Sequence, residues 1–430
     1  MPMPTRLLLL VAALAAGSVH AQGQNNYGST YSLYGVGERG EMISSQGSML
    51  GLSGVATRSI YTSVSNPALW SDLTVTTFAA GASVTTVRAE DGLSAETSTG
   101  SAGDLTTLHL GLPILPGRLG LVVAYGPYSR TNYRSASVDS LLVEDEQVPY
   151  ELNLEGAGGL QVVRAGLGGR IGQSLQLGVS GDIVFGTQEI LQRTAFGAAD
   201  YREVRESEAT RVRGITGTLG AAFTARSLGS EDDALTVGAA LTLPTALDLT
   251  RTRTLGESLD RDTLASEVDG SATLPLVVRG GLAYTTGGRW LATVEGLYEP
   301  WSGFESTLPM GGFDDARDVD LLQDRVRVGG GLELTPGGRD RRAALLSRTA
   351  YRIGGYAERG LYAPTGSDVT TLALTAGLSV PNRFTGARFD LGLEVGTRGS
   401  ADDVLVHDTF LKGTFTLNFG ERWFVRRRFN

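Results

Sequence analysis

The sequence contains no cysteine, a single lysine (Lys412) and only three histidines in 430 residues. Without cysteine there is no disulfide framework, no thiolate metal site and no lipid-anchored N-terminal cysteine. His20 falls in the N-terminal leader, so a histidine metal cluster or a Ser-His-Asp triad would have to use His109 or His407. His407 reads as a solvated residue in the loop Asp402–Asp408. His109 reads as a strand residue facing lumen or lipid. Glycine runs such as Gly166 to Gly169 lack the strand–turn–helix context of a nucleotide site, and no Gly-Lys-Ser/Thr phosphate loop is present. The chain is therefore read as a non-enzyme with no metal and no cofactor. Its formal charge is −9, with almost all positive charge on arginine. That argues against nucleic acid as a partner, because phosphate binding needs a basic patch.

Long apolar runs are also missing. The one apolar stretch, Leu7 to Ala16, follows Arg6 and precedes Val19-His20-Ala21. This is the layout of an export signal cleaved before Gln22. No later run is long enough for a membrane helix.

What the chain has in quantity is two-residue alternation. In Phe410–Phe419, Leu411, Gly413, Phe415, Leu417 and Phe419 alternate with Lys412, Thr414, Thr416 and Asn418. A strand sends successive side chains to opposite faces, so this run has one apolar and one polar face. Leu175–Phe185, Arg325–Leu334, Leu372–Val380 and Phe389–Val395 repeat the pattern. A soluble sandwich and a membrane barrel both write this alternation. Strands near ten residues, the absence of obvious domain linkers and a first mature segment that does not read as a strand favour the barrel. Strands are expected to begin near Leu73, Asp104, Arg118, Gln147, Gly159, Ser174, Glu208, Ala234, Leu274, Arg289, Leu322, Ser347, Asp368, Ala387 and Thr409. That is one more than an even barrel of about 14 strands. Arg88–Asp104, Asp139–Gln147 and Arg202–Glu208 read as solvated acidic loops. Tyr125, Tyr128, Tyr133, Trp290, Tyr298, Trp301, Trp423 and Phe424 read as boundary aromatics, or else as ordinary core and turn residues.

Residues 22–72 break the alternation. They are rich in Gly, Ser and Asn, yet hold Met42, Ile43, Met49, Leu50, Leu52 and Ile60, which gain from burial. A plug within the lumen accounts for them better than a disordered tail. The expected organisation is a signal peptide at 1–21, a hatch at 22–72 and a barrel at 73–430.

Tyr34-Gly35-Val36-Gly37-Glu38-Arg39-Gly40 and Asn66-Pro67-Ala68 resemble the N-terminal hatch of the long-chain fatty-acid outer-membrane transporters, the FadL class, which includes the aromatic-hydrocarbon porins. Glu155–Leu160 leading to Val184-Phe185-Gly186, and Leu274–Tyr284 followed by Arg289-Trp290 and Trp301, resemble later landmarks of that family. The end, from Tyr351–Tyr356 through Gly396–Gly399 to Glu421–Phe424, is more similar to a branch common in Bacteroidota-type bacteria. The resemblance covers nearly the whole mature chain. It implies an all-β transmembrane antiparallel barrel in the outer membrane, with the hatch inside its lumen. It also implies uptake of fatty-acid-like or hydrocarbon molecules and lateral release through the wall. Only Asn66, Pro67 and Ala68 carry over residue by residue, as a hatch element. The terminus departs from the family pattern, since Phe429 is penultimate and follows Arg426-Arg427-Arg428.

The remaining candidates are charged residues on the polar strand faces: Arg325, Arg327, Glu333, Asp390, Glu394 and Lys412, with Asp182 beside them. They read either as a gate or carboxylate site, to which arginine is suited, or as a network that pairs across strands and pins the hatch. The expected partners are outer-membrane lipid, a hydrophobic small molecule and the barrel-assembly machinery during biogenesis. The alternative function is that of a partner subunit in a secretion or assembly complex.

Overall fold

In the computed structural model the described residues are 27–423, apart from 60–62, 93–95, 144–145, 198–200, 257–261, 313–321, 339, 341, 365, 367, 383–386 and 400–405. The expected signal peptide, Ile60, Phe424 and the arginine-rich end lie outside them. The chain forms a closed antiparallel barrel of 14 spans. They are β1 (Thr76–Asp91), β2 (Thr97–Leu115), β3 (Leu119–Pro127 and Tyr133–Val143), β4 (Glu146–Ile171), β5 (Leu175–Phe196), β6 (Val204–Arg226) and β7 (Ala234–Thr242 and Thr245–Leu255). Next come β8 (Asp262–Leu274 and Val277–Thr286), β9 (Trp290–Glu299 and Glu305–Ser306), β10 (Leu322–Leu334) and β11 (Ala350–Tyr362). β12 (Thr370–Pro381), β13 (Arg388–Arg398) and β14 (Val406–Glu421) complete the ring. β14 pairs along its whole length with β1, from Thr76 opposite Glu421 to Asp91 opposite Val406. Closure is required in hydrocarbon, where an open edge would leave backbone groups without partners.

The alternation is resolved into two faces as expected. On β14, Leu411 and Phe415 are exposed while Thr416 and Asn418 are buried. On β10, Val326 and Val328 point out and Arg325 and Arg327 point in, each 2 % exposed. Such a wall is apolar toward lipid and polar toward its interior, the inverse of a soluble core.

Several strand assignments need correction. Gln147 and Gly159 do not start separate strands: β4 is continuous, and Gly158 and Gly159 take φ of +93° and +126° within it rather than making a turn. Tyr133–Val143, whose end from Asp139 on reads as part of an acidic loop, is a strand paired with β4. Most of Arg202–Glu208 belongs to β6, and β2 starts at Thr97 rather than near Asp104. Polar and charged residues occupy many positions in these stretches, so an alternation of apolar and polar residues is not plain there. Leu274 ends one segment of β8 instead of starting it. Pro244, Pro275 and Pro300 interrupt β7, β8 and β9, since proline has no N–H to give the ladder. Tyr133 and Trp301 are not boundary aromatics: both are buried, whereas Trp290, Tyr298 and Trp423 are exposed.

Residues 27–75 precede the ring and pack against its inward-facing side chains. They contain short turns at Thr30–Leu33, Ser45–Ser48 and Pro67–Asp72. Leu50, Val55, Val64 and Trp70 are completely buried. Wall glycines allow the contact. A Cβ at Gly220 would overlap Asn66, and one at Gly329 would overlap the carbonyl of Gly51. Gly329→Ala is therefore expected to cost about 1–3 kcal/mol through overpacking. Gly413→Ala, with nothing near its Cβ, is expected to be silent. Heat-modifiable gel migration across a denaturant series compares the two.

Candidate functional site

The site is built where the N-terminal segment meets β8–β11. The Glu41 carboxylate accepts from Arg279 of β8 at 2.6 Å, and from Arg325 and Arg327 of β10 at 2.9 and 2.7 Å. Arg325 also reaches Glu358 of β11 at 2.7 Å and Glu299 of β9 at 3.3 Å. Arg39 pairs with Glu299 at 3.3 Å and lies over the Tyr128 ring, 3.8 Å from its centroid. The indole N–H of Trp301 donates to Glu299 at 2.7 Å. A second carboxylate on β9, Glu295, accepts the backbone N–H groups of Gly54 and Val55 at 2.6 and 2.8 Å. Burial alone would raise the Glu41 carboxyl. Arg279, Arg327, Arg325 and Arg39 outweigh it and hold the group well below its ordinary range.

The six polar candidates all face inward, although they do not form one site. Arg325 and Arg327 share the Glu41 cluster. Glu333 joins Arg352 of β11 at 2.6 Å to Gln46 of the segment at 2.8 Å. Asp390 accepts from Ser45, from Arg388 at 3.1 Å and from Asn418 at 2.8 Å. Glu394 accepts from the Tyr356 hydroxyl at 2.6 Å, with Lys412 3.8 Å away. Asp182 is gripped by Arg164 at 2.7 and 2.8 Å, and Arg164 also donates to the Val64 carbonyl at 2.9 Å. Asn66 caps the Pro67–Asp72 turn by accepting from the Ala68 N–H at 3.0 Å, the role that short polar side chains play at helix starts. Its amide donates to Val55 at 2.7 Å and to Ala221 of β6 at 3.2 Å. Pro67 follows at the first position of the turn, and Ala68 packs on Ala222.

Sequence reasoning did not single out Glu41, Arg279, Glu295 or Glu299. The last two were legible as acids on the inward face of β9, in step with Leu291, Thr293 and Leu297. Glu41 sits in an irregular segment with no period to mark it. His407 is in β14 rather than in a loop, its Nδ1 3.1 Å from the Gly399 carbonyl. His109 is buried, facing inward, with its Nδ1 3.2 Å from the Thr107 hydroxyl.

β3 is broken between Pro127 and Tyr133. Below the break it pairs with β2, from Leu108 opposite Tyr125 to Leu115 opposite Leu119. Above it, among the described residues, Tyr133–Val143 pairs only with β4. The N-terminal segment fills this notch. Glu38–Arg39 forms a two-residue antiparallel pairing with Ser129–Arg130. The Gly28 N–H donates to Asn132 at 3.0 Å, and the Gly40 N–H to Tyr128 at 2.9 Å. Beside it is a void of about 170 Å³, lined by Glu38, Arg130, Arg398, Glu394 and Lys412 together with Val87 and Phe410.

A 14-stranded wall of this topology, with an irregular N-terminal segment packed on its inner face, is the fold of the outer-membrane FadL-type transport barrels. The toluene transporter TbuX of Ralstonia pickettii superposes with a TM-score of 0.56 at 13 % identity, over 90 % of this chain and 99 % of that one. A FadL homologue of Pseudomonas aeruginosa gives 0.55 at 11 % identity over 90 % and 99 %, and the toluene transporter TodX of Pseudomonas putida gives 0.53 at 14 % over 91 % and 100 %. No curated protein sequence matches the chain. The family is set by sequence: the BamG model matches residues 3–430, and the chain belongs to the BamG family.

Among the described residues, Glu41→Ala leaves Arg327 with only the Glu358 ion pair at 3.8 Å, and it is expected to destabilise the seated segment by about 3–5 kcal/mol, the cost of breaking a buried pair. Because the folded carboxyl titrates below its unfolded value, its contribution is full above the ordinary glutamate range. It is lost as pH falls through the depressed folded value. Protease accessibility of residues 27–75 is therefore expected to stay low at mildly acidic pH in the wild type and to be raised at neutral pH in Glu41→Ala.

Proposed function

We propose that this chain is a plugged outer-membrane barrel that serves as a partner subunit of the outer-membrane barrel-assembly machinery. The observation that carries this reading is the filled interior. Glu41 is bonded to three wall arginines, Glu295 holds two backbone amides of the segment, and the adjoining void is small and charged. Pockets for apolar ligands are mostly apolar and of about 300–1,000 Å³, so this void does not suit a fatty-acyl chain while the segment is seated. The whole-chain family match supports the same reading, since the Bam prefix of the family name points to barrel assembly. In this role residues 27–75 act as a fixed hatch, with Asn66, Pro67 and Ala68 shaping its last turn and Arg325, Arg327, Glu333 and Asp390 pinning it. Mild-detergent purification from native membranes is expected to yield a stoichiometric complex with the core assembly barrel. Depletion is expected to lower the outer-membrane content of other barrels. Recovery as a lone barrel, with normal levels of the others after depletion, would sink the proposal.

The break in β3 favours a second reading, uptake of a hydrophobic molecule with lateral release. There Glu38–Arg39 would leave its pairing with Ser129–Arg130 and open the notch to lipid. TbuX and TodX are toluene transporters, which supports this reading by fold alone. Liposomes holding the chain would then take up toluene or a fatty acid faster than empty ones. Equal rates are expected if the hatch is fixed.

A further inference from the structure

We propose that the connection between β10 and β11 is an anionic-phospholipid clamp on the periplasmic rim of the barrel. This connection, residues 335–349, joins strands at the end of the barrel that carries the start of β1 and the end of β14. It shares that end with the short turns 172–174 and 287–289. Short turns mark the periplasmic side of such barrels, so the adjoining leaflet is made of phospholipid.

The connection is far longer than its neighbours and is basic and greasy at once. It contains four arginines against one acid, Asp340; Arg339 and Arg341 lie outside the described residues. Leu345 and Leu346 are exposed, the second by 73 %. Their position gives the exposure a meaning. The Leu346 carbonyl accepts from the Tyr351 hydroxyl at 3.2 Å. Tyr351 lies opposite Leu334, which lies opposite Trp290. Trp290, Leu334 and Tyr351 therefore form one outward row at the rim, where amphipathic rings favour the membrane boundary. The leucine pair continues this lipid-facing row.

The charges lie beside it. Arg289 adjoins the connection, its carbonyl accepting from the Thr335 N–H at 2.8 Å. Arg289 and Arg342 are exposed, and neither side chain is paired with a carboxylate among the described residues. The Asp340 carboxylate is engaged by the Arg342 backbone N–H at 2.8 Å. Leucines seated among acyl chains would bring these guanidinium groups to headgroup depth, where arginine meets phosphate well. Continuity with the lipid-facing wall commits the surface to lipid rather than to protein.

The test uses the full-length barrel in nanodiscs of phosphatidylcholine with or without about 30 % phosphatidylglycerol, followed by native mass spectrometry of the lipids it retains. The wild type is expected to keep phosphatidylglycerol preferentially. Arg289→Gln with Arg342→Gln is expected to reduce that preference about five-fold per arginine, about 1 kcal/mol each. Leu345→Ser with Leu346→Ser is expected to lower retention of both lipids. Heat-modifiable gel migration confirms that each variant is folded. A photo-crosslinking residue at position 346 is expected to yield lipid adducts in cells. No preference in the wild type, an unchanged preference in the folded arginine variant, or a discrete protein adduct at position 346 would overturn the proposal.

Discussion

One carboxylate organises the interior of this barrel. Glu41 lies in an irregular stretch and is bonded to arginines from two walls, β8 and β10. Arginine on an inward face is costly unless it is paired and hydrogen-bonded. The wall supplies part of the answer through Glu295, Glu299 and Glu358. For Arg327 the close partner is Glu41 at 2.7 Å, against 3.8 Å to Glu358. The segment is thus part of the charge balance of the wall, which distinguishes it from a tail that happens to be enclosed.

The same segment resolves a second problem. A strand broken inside a membrane wall exposes backbone groups that lipid cannot satisfy. Between Pro127 and Tyr133 the ladder of β3 lapses, and Glu38–Arg39 supplies a pairing for Ser129–Arg130 from within. Arg39, which takes part in that pairing, also bonds Glu299 and stacks on Tyr128. Backbone completion at the notch and ion pairing at the cluster are therefore joined through neighbouring residues of one loop.

Much of this was legible beforehand. Wherever one face meets lipid, the period of two is written plainly, and Arg325, Arg327, Glu333 and Asp390 stood out as charges on the other face. The long outer parts of β3, β4 and β6 were not legible as strands, because polar and charged residues at many positions break up the apolar marker. Residues Gly158–Gly159 looked like a strand boundary, yet the ladder to β5 runs through them in unbroken register, from Ala157 opposite Glu189 to Leu160 opposite Gly186. The partner of the wall arginines was hidden for a different reason. Glu41 has no periodic position, so its role exists only in three dimensions, where a loop and two strands converge.

The segment that fills the ring is the first part of the described chain, and the strand that closes the ring is the last. β1 follows the segment directly, and β14 seals against β1. A wall laid down in chain order would grow around a core already present, each inward charge meeting its partner as its strand arrived. The order of the chain thus sets its contents beside its seam, since the strand into which the segment runs is the one on which the ring closes.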